Sequence, residues 1–499
     1  MLVACGDNIR GAGSLSFEPC GNEPFECATL TVPADWSKPS GETIGLLVMR
    51  APARDAANRI GVLTFNFGGP GAPTLAPLAN LYPRVPIDTT IDLTQRFDWI
   101  LMDWRGVATT TPTLACLDSA TMGSVAYTTY DPTTDDAWTQ LFALTDQVAA
   151  GCTANPSNAP LLANEDTESA ARDFDALRAG LGEDTLNMWV VSYGTRLGAM
   201  YASLFPDHVR ALALDSPMPP VPEYKSIVEG QNASFEVELG RFFAWCSTTT
   251  ADLCPFQSSG ATADALAAKY EDMLATADAT PIVVGGIAID HAVINLVATF
   301  QMYFPTLDWP QLGGELADLA TGNASSIYDA YIQGPVDSST DPGGFSAYEN
   351  VWRQDMPLSA DIATHVGYQA WAESLDASAP HVGLQNAAYL AFTVDWPTRT
   401  PNQHVIGASD SPPLLITASR YDPATPYPLA TELQQTLANG SYLVTYEGDG
   451  HANAQFHDCL GEVVASFLID PTTPPATTDC AADVITPPST RSVSRMRTR

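Results

Sequence analysis

Ser192 stands between two stretches of opposite character. Leu186–Val191 is a short apolar run that reads as a buried strand, and Arg196–Phe205 reads as the start of a helix. The four residues between them are Ser192-Tyr193-Gly194-Thr195. A serine on a strand-to-helix turn, with glycine two residues later, lifts its hydroxyl clear of a sheet. The helix N-terminus behind it favours developing negative charge. The chemistry such a residue can do is nucleophilic attack, given a base to take its proton and donors to receive an oxyanion.

Seven histidines are available as the base, at 208, 291, 365, 381, 404, 451 and 457. His451 fits best, because the strand-like run 441–446 leads to it through the flexible Glu447-Gly448-Asp449-Gly450. His457 is the near alternative, in the following helix pattern. Asp422 follows the strand-like run 413–417, in Arg420-Tyr421-Asp422-Pro423-Ala424-Thr425-Pro426. It precedes His451 by enough chain for a helix and a strand, and its carboxylate would fix the imidazole tautomer. Asp449 competes for that role, with little room for the geometry. For the oxyanion, Asn66-Phe67-Gly68-Gly69-Pro70-Gly71 closes a strand-like run and precedes the serine in the chain. The main-chain N–H of Gly69, with Gly68 as the alternative, is expected to act with that of Tyr193.

The elements that must position these groups alternate in type. Strands are expected at Ala28–Val32, Thr43–Met49, Val62–Phe67, Phe97–Asp103, Leu186–Val191 and Val209–Asp215. A convincing amphipathic helix spans Thr167–Leu181, with Ala170, Phe174, Leu177 and Leu181 at helical spacing. Residues 107–165 read as a polar stretch with helical patches. After the proline-rich 216–222 the spacing turns mainly helical, at Ile227–Cys246, Ala263–Ala277, Ala292–Phe304, Leu312–Ala320 and Gln385–Phe392. Residues 332–348, rich in Gly, Ser, Asp and Pro, read as a loop. Strands return at 413–417 and 441–446, then a helix at 457–468. This order predicts an α/β fold, a mostly parallel central sheet flanked by helices and interrupted by one helical insertion. The expected divisions are an entry segment (1–27), core halves at 28–216 and 405–483, a lid at 217–404, and a disordered tail at 484–499.

The 499 residues carry 22 Lys and Arg against 57 Asp and Glu, a net charge of −35. Only three lysines occur, Lys38, Lys225 and Lys269, so nucleic-acid binding is not expected. No run of 18 apolar residues predicts a transmembrane helix. Eight of nine cysteines fall into neighbouring pairs, Cys20–Cys27, Cys116–Cys152, Cys246–Cys254 and Cys459–Cys480, one of about 105 possible pairings. An even set without a CxxC metal pattern suits an oxidising compartment, and hence export to the periplasm, cell surface or medium. The ninth, Cys5, ends Leu2-Val3-Ala4-Cys5, which has the form of a lipobox and makes Cys5 a candidate for lipid attachment.

Taken together these pieces resemble the tripeptidyl aminopeptidase and proline iminopeptidase group of α/β-hydrolases, over roughly residues 20–482. The likeness rests on Cys27–Trp36, Gly68-Gly69-Pro70-Gly71, Asp103-Trp104-Arg105-Gly106, Ser192-Tyr193-Gly194-Thr195, Asp422–Pro426, Gly450-His451 and the late cysteine pair. It implies the α/β-hydrolase fold and an exported serine exopeptidase acting near the free N-terminus of peptides, with no metal or cofactor. The implied triad is Ser192 as nucleophile, Asp422 orienting the histidine, and His451 as general base and acid. An esterase with the same triad is the alternative reading, and a non-catalytic binding protein the third. Two departures stand out. Val190 occupies a position where the group usually has glycine, and Phe67 one where proline iminopeptidases have histidine. A substrate ammonium would need lid carboxylates, for which Glu223, Glu229, Glu236, Glu238, Glu349 and Asp355 are on offer.

Overall fold

The computed structural model describes residues 14–21, 23–82, 92–118, 125, 131–221, 223–336, 342–398 and 404–485. Cys5 and most of the expected tail lie outside them. Ten strands form one sheet: β1 (Glu18–Pro19), β2 (Glu26–Pro33), β3 (Thr43–Ala51), β4 (Gly61–Asn66), β5 (Phe97–Met102), β6 (Leu186–Val191), β7 (Val209–Asp215), β10 (Leu415–Tyr421), β11 (Tyr442–Asp449) and β12 (Asp479–Cys480). Their order is β1-β2-β3-β5-β4-β6-β7-β10-β11-β12. The first three strands run antiparallel to their neighbours, and from β5 onward every pairing is parallel. β8 (Ile282–Val284) and β9 (Ile287–Ile289) form a separate antiparallel hairpin in the insertion. It turns on Gly285-Gly286, both at positive φ.

The central strands are buried on both sides, as apolar parallel strands must be. Successive residues serve opposite faces. Met188 and Val190 of β6 join one apolar cluster, with the helices Thr167–Leu181 and Gly194–Leu204, while Trp189 and Val191 join another, with the helix Asp458–Ile469. The inserted stretch divides unequally. Residues 235–331 build most of a third cluster, from Phe242, Tyr270, Val293, Trp309 and Ile327 among others. Phe345, Val351, Trp352, Tyr368 and Phe392 instead pack into the first cluster, beneath the sheet.

Three expected elements are corrected. Residues 332–348 are not a loop throughout: Ile332–Val336 is a π turn, and a helix runs Pro342–Asp355. Phe345, Tyr348 and Trp352 give it a buried or half-buried stripe at helical spacing, which the glycine and proline content masked. The helix expected to reach Phe304 ends at Gln301, because the residue before a proline is pushed out of helical conformation and Pro305 opens the next helix. That next helix begins at Pro305, not Leu312. The helices Asp135–Ala154, Ser325–Tyr331, His365–Leu375 and Tyr427–Leu437, and the short strands β1, β8, β9 and β12, are further elements. All four cysteine pairs are bonded as expected. Among the described residues no helix is long and apolar enough to cross a membrane.

Candidate active site

Ser192 follows β6 at φ +56°, a left-handed backbone that only a sharp turn demands of a non-glycine residue. Its N–H donates to the carbonyl of Asp215 at the end of β7 (2.9 Å). Its carbonyl accepts from the N–H (2.9 Å) and the hydroxyl (2.6 Å) of Thr195 in the elbow helix Gly194–Leu204. The turn packs so tightly that a Cβ on Gly194 would lie 2.6 Å from Asn66 main-chain and side-chain oxygens. Val190 is accommodated because position 198 is glycine: a Cβ there would meet Val190 Cγ2 at 2.8 Å. The glycine expected before the serine has in effect moved to the facing helix.

The oxyanion turn lies against the elbow. A Cβ on Gly68 (φ +84°) would sit 2.7 Å from both Tyr193 N and Val191 O. The Gly68 N–H is taken, donating to Asn66 Oδ1 (3.0 Å). Among the described residues no protein acceptor pairs with the N–H of Gly69 or Tyr193. Asp103 holds the far side of this turn, accepting from the N–H groups of Thr74 (2.8 Å) and Leu75 (2.9 Å). Arg105 makes a buried bidentate pair with Asp173 (2.7 and 2.6 Å). The Asp-Trp-Arg-Gly stretch is therefore scaffolding for the site.

His451 and Asp422 meet as expected. The Nδ1 of His451 lies 3.0 and 2.9 Å from the two Asp422 oxygens. The Asp422 carboxylate also accepts from the N–H groups of Ala424 (2.9 Å) and Thr425 (2.8 Å) and from the Thr425 hydroxyl (2.9 Å). With Nδ1 so engaged, Nε2 is the nitrogen left to face a substrate proton. The histidine loop is tied to the elbow through Asp215 and Ser216. Ser216 Oγ accepts from Ala452 N (2.9 Å), and Asp215 Oδ2 from Ala454 N (3.2 Å). The same Asp215 carbonyl receives the Ser192 N–H, so one β7 terminus anchors both nucleophile and base. From the insertion, the Tyr303 carbonyl accepts the His451 N–H (2.8 Å), and its ring stands edge-on to the imidazole at 5.6 Å.

Burial opposes a charge on His451, but the Asp422 carboxylate, by charge and by hydrogen bond, and Asp215 outweigh it and hold the imidazole above its usual value. Burial pushes Asp215 up to about 6, against the Thr417 hydroxyl and His451. Asp215 and Thr425 were not singled out in the sequence. The strand-end position of the first, and the second's place in Asp-Pro-Ala-Thr-Pro, were the available signals. The competitors are engaged elsewhere: Asp449 pairs with Arg241, and His457 with Asp483.

The six lid carboxylates separate clearly. Glu223 accepts from Ser226, Glu229 from Trp371, Glu236 holds His381, Glu349 accepts from Thr393, and Asp355 accepts from Tyr193. Glu238 is buried with neither oxygen hydrogen-bonded, 4.0 Å from Arg241. Burial, and then the negative Asp449 and Asp422, hold it well above the usual carboxylate range.

A family model described as the alpha/beta hydrolase fold matches residues 70–253, and one described as TAP-like protein matches 381–480. The chain has the α/β-hydrolase fold, is a serine hydrolase, and is similar to the group of tripeptidyl aminopeptidase. It is 27% identical to Serine protease Hip1 of Mycobacterium tuberculosis over 466 residues, covering 91% of this chain and 87% of the relative. It is 27% identical to Tripeptidyl aminopeptidase of Streptomyces lividans over 469 residues, with 92% and 84% covered. With Carboxylesterase B of Mycobacterium tuberculosis the identity is 29% over 468 residues, with 91% and 86% covered.

Proposed function

We propose that this protein is a serine exopeptidase that cleaves amide bonds near the free N-terminus of peptides. His451 Nε2 takes the Ser192 proton as Oγ bonds to the acyl carbon, and the oxyanion is received by the N–H groups of Gly69 and Tyr193. Collapse breaks the C–N bond, and His451 returns the proton to the departing amine. Water then attacks the acyl carbon as the same imidazole takes its proton, and collapse breaks the bond to Ser192 Oγ, which receives that proton back from His451. Asp422 keeps Nδ1 protonated throughout and stabilises the imidazolium. The observation that carries this reading is the shared anchoring of Ser192 and the His451 loop by Asp215 and Ser216, with Asp422 on Nδ1. Gly69 is preferred to Gly68 because the Gly68 N–H is already spent on Asn66.

The peptide reading draws on the relatives named serine protease and tripeptidyl aminopeptidase. For the ammonium, Glu238 is the lid acid with neither oxygen hydrogen-bonded; a second cation beside it, closer than Arg241, would favour its ionised form. Four disulfides fit an exported protein. The second reading, an esterase, is favoured by the relative named Carboxylesterase B.

The test offers tripeptidyl and aminoacyl arylamides, with free and blocked N-termini, and a short-chain aryl ester. Wild type is expected to cleave the free-amine amides and to lose them on blocking. Ser192→Ala should be inactive, and His451→Ala should lose at least about 10³-fold in turnover. Ester turnover alone supports the esterase. A phosphonate that leaves Ser192 unlabelled, with no turnover of either class, supports a binding protein.

A further inference from the structure

The helix Pro342–Asp355 lies in the insertion, yet its first half meets the glycine turn that carries Gly69 and its end meets Tyr193. At its start, the chain presses on the glycine turn: a Cβ on Gly71 (φ +83°) would lie 2.6 Å from Gly344 O and 2.9 Å from Tyr348 N. At its end, Asp355 is buried beneath the elbow. Its Oδ2 accepts from the hydroxyl of Tyr193 (2.6 Å), from the hydroxyl of Thr167, and from Arg196 Nε (3.4 Å). Its Oδ1 accepts from the Thr167 N–H (3.1 Å). The Tyr193 ring between these groups packs against Trp104 and Trp352, with centroids at 6.4 and 6.1 Å. Trp352 belongs to the same inserted helix.

Tyr193 thus has its side chain held at the ring and at the hydroxyl, while its main-chain N–H is unpaired among the described residues. A donor with no protein acceptor of its own depends on neighbouring constraints for its direction. A small misplacement of a preorganised dipole costs rate, not affinity. We propose that Asp355 is a positioning residue for catalysis: by holding the Tyr193 hydroxyl it fixes the direction of the Tyr193 N–H, so that the inserted helix, not the sheet alone, sets the oxyanion hole. This rests on the Ser192 reading above. Burial and the Asp355 carboxylate raise the Tyr193 phenol well above its usual value, so it remains the donor in this bond at any working pH.

The test is a double-mutant cycle of Tyr193→Phe and Asp355→Asn on whichever substrate wild type turns over, with competent sites titrated by a phosphonate. Each single change is expected to lower kcat about 10-fold, a fraction of the 10²–10³ that a lost donor costs, with KM within about twofold. The double variant should be no slower than the slower single one, because Asp355→Asn weakens, and Tyr193→Phe removes, the same link. Tyr193→Phe deletes one hydroxyl and leaves Asp355 its Thr167 and Arg196 partners, so it decides the matter even if Asp355→Asn fails to fold. An unchanged kcat per titrated site in Tyr193→Phe, or a rise in KM alone, overturns the proposal. Ser192→Ala is assayed beside them. If it stays active, the nucleophile reading fails; if it is dead while Tyr193→Phe is normal, only the positioning role fails.

Discussion

At the scale of single residues, the base is set by two carboxylates of different standing. Asp422 touches His451 Nδ1, whereas Asp215 acts on it only through space and titrates near 6 itself. A base works as the neutral imidazole, so activity falls as pH drops through the His451 pKa. Because that pKa is raised, the acidic limb of kcat/KM is expected above pH 6.5. Asp215→Asn removes one of the charges that raise it and should move the limb to lower pH; an unmoved or upward-shifted limb would contradict this. The groups legible in the sequence were those fixed by local turn chemistry: Ser192 between an apolar run and a helix start, Asp422 and His451 each just past a strand. Asp215 and Asp355 act across distant parts of the chain, and no periodicity or short spacing marks their roles, whereas Thr425 sits three residues past Asp422 in the same short turn.

At the scale of elements, the elbow stands on an exchange between strand and helix. Val190 occupies the space that glycine would leave empty, and Gly198 on the elbow helix makes room for it. Gly198→Ala would bring a methyl to 2.8 Å from a stiff branched side chain and to 2.7 Å from the flexible end of Leu214. We expect it to destabilise by about 1–3 kcal/mol, read as a lowered denaturant midpoint, and Val190→Ala in the same chain to recover most of the loss. No recovery would mean that Leu214 carries the clash. Helices and strands with clean periodicity were legible to within a few residues, Thr167–Leu181 and Val209–Asp215 among them. The Pro342–Asp355 helix was not, because its Gly-rich start obscured an apolar stripe that needs the folded core for its partner.

At the scale of the whole molecule, a chain with 57 acids and 22 Lys and Arg uses the imidazole of His291 as a further cation. His291, at the start of the inserted helix His291–Gln301, bridges Asp131 (2.6 Å) and Asp278 (2.7 Å). The hydrogen bond from Asp131 chiefly, opposed by burial and aided by Asp278, raises its pKa to about 9. A raised histidine stabilises fully below its unfolded value near 6.5 and loses that contribution as pH climbs through 9. His291→Gln should therefore lower the melting temperature by roughly 2 °C at pH 6 and by nothing at pH 10; an equal loss at both would refute the charge argument. The α/β alternation was legible along the chain, but the boundaries proposed for the insertion describe connectivity more than packing. Residues 235–331 supply most of a separate interior, completed by Ala379, Val382 and Ala424, whereas Phe345, Val351 and Trp352 belong to the interior of the sheet. For anyone grafting parts between relatives, this moves the scissors. A hybrid cut near 235 and 331 transplants most of the cap's interior, leaving Ala379 and Val382 for the host to match, while one cut at 217 and 404 would hollow out the ground on which the nucleophile stands.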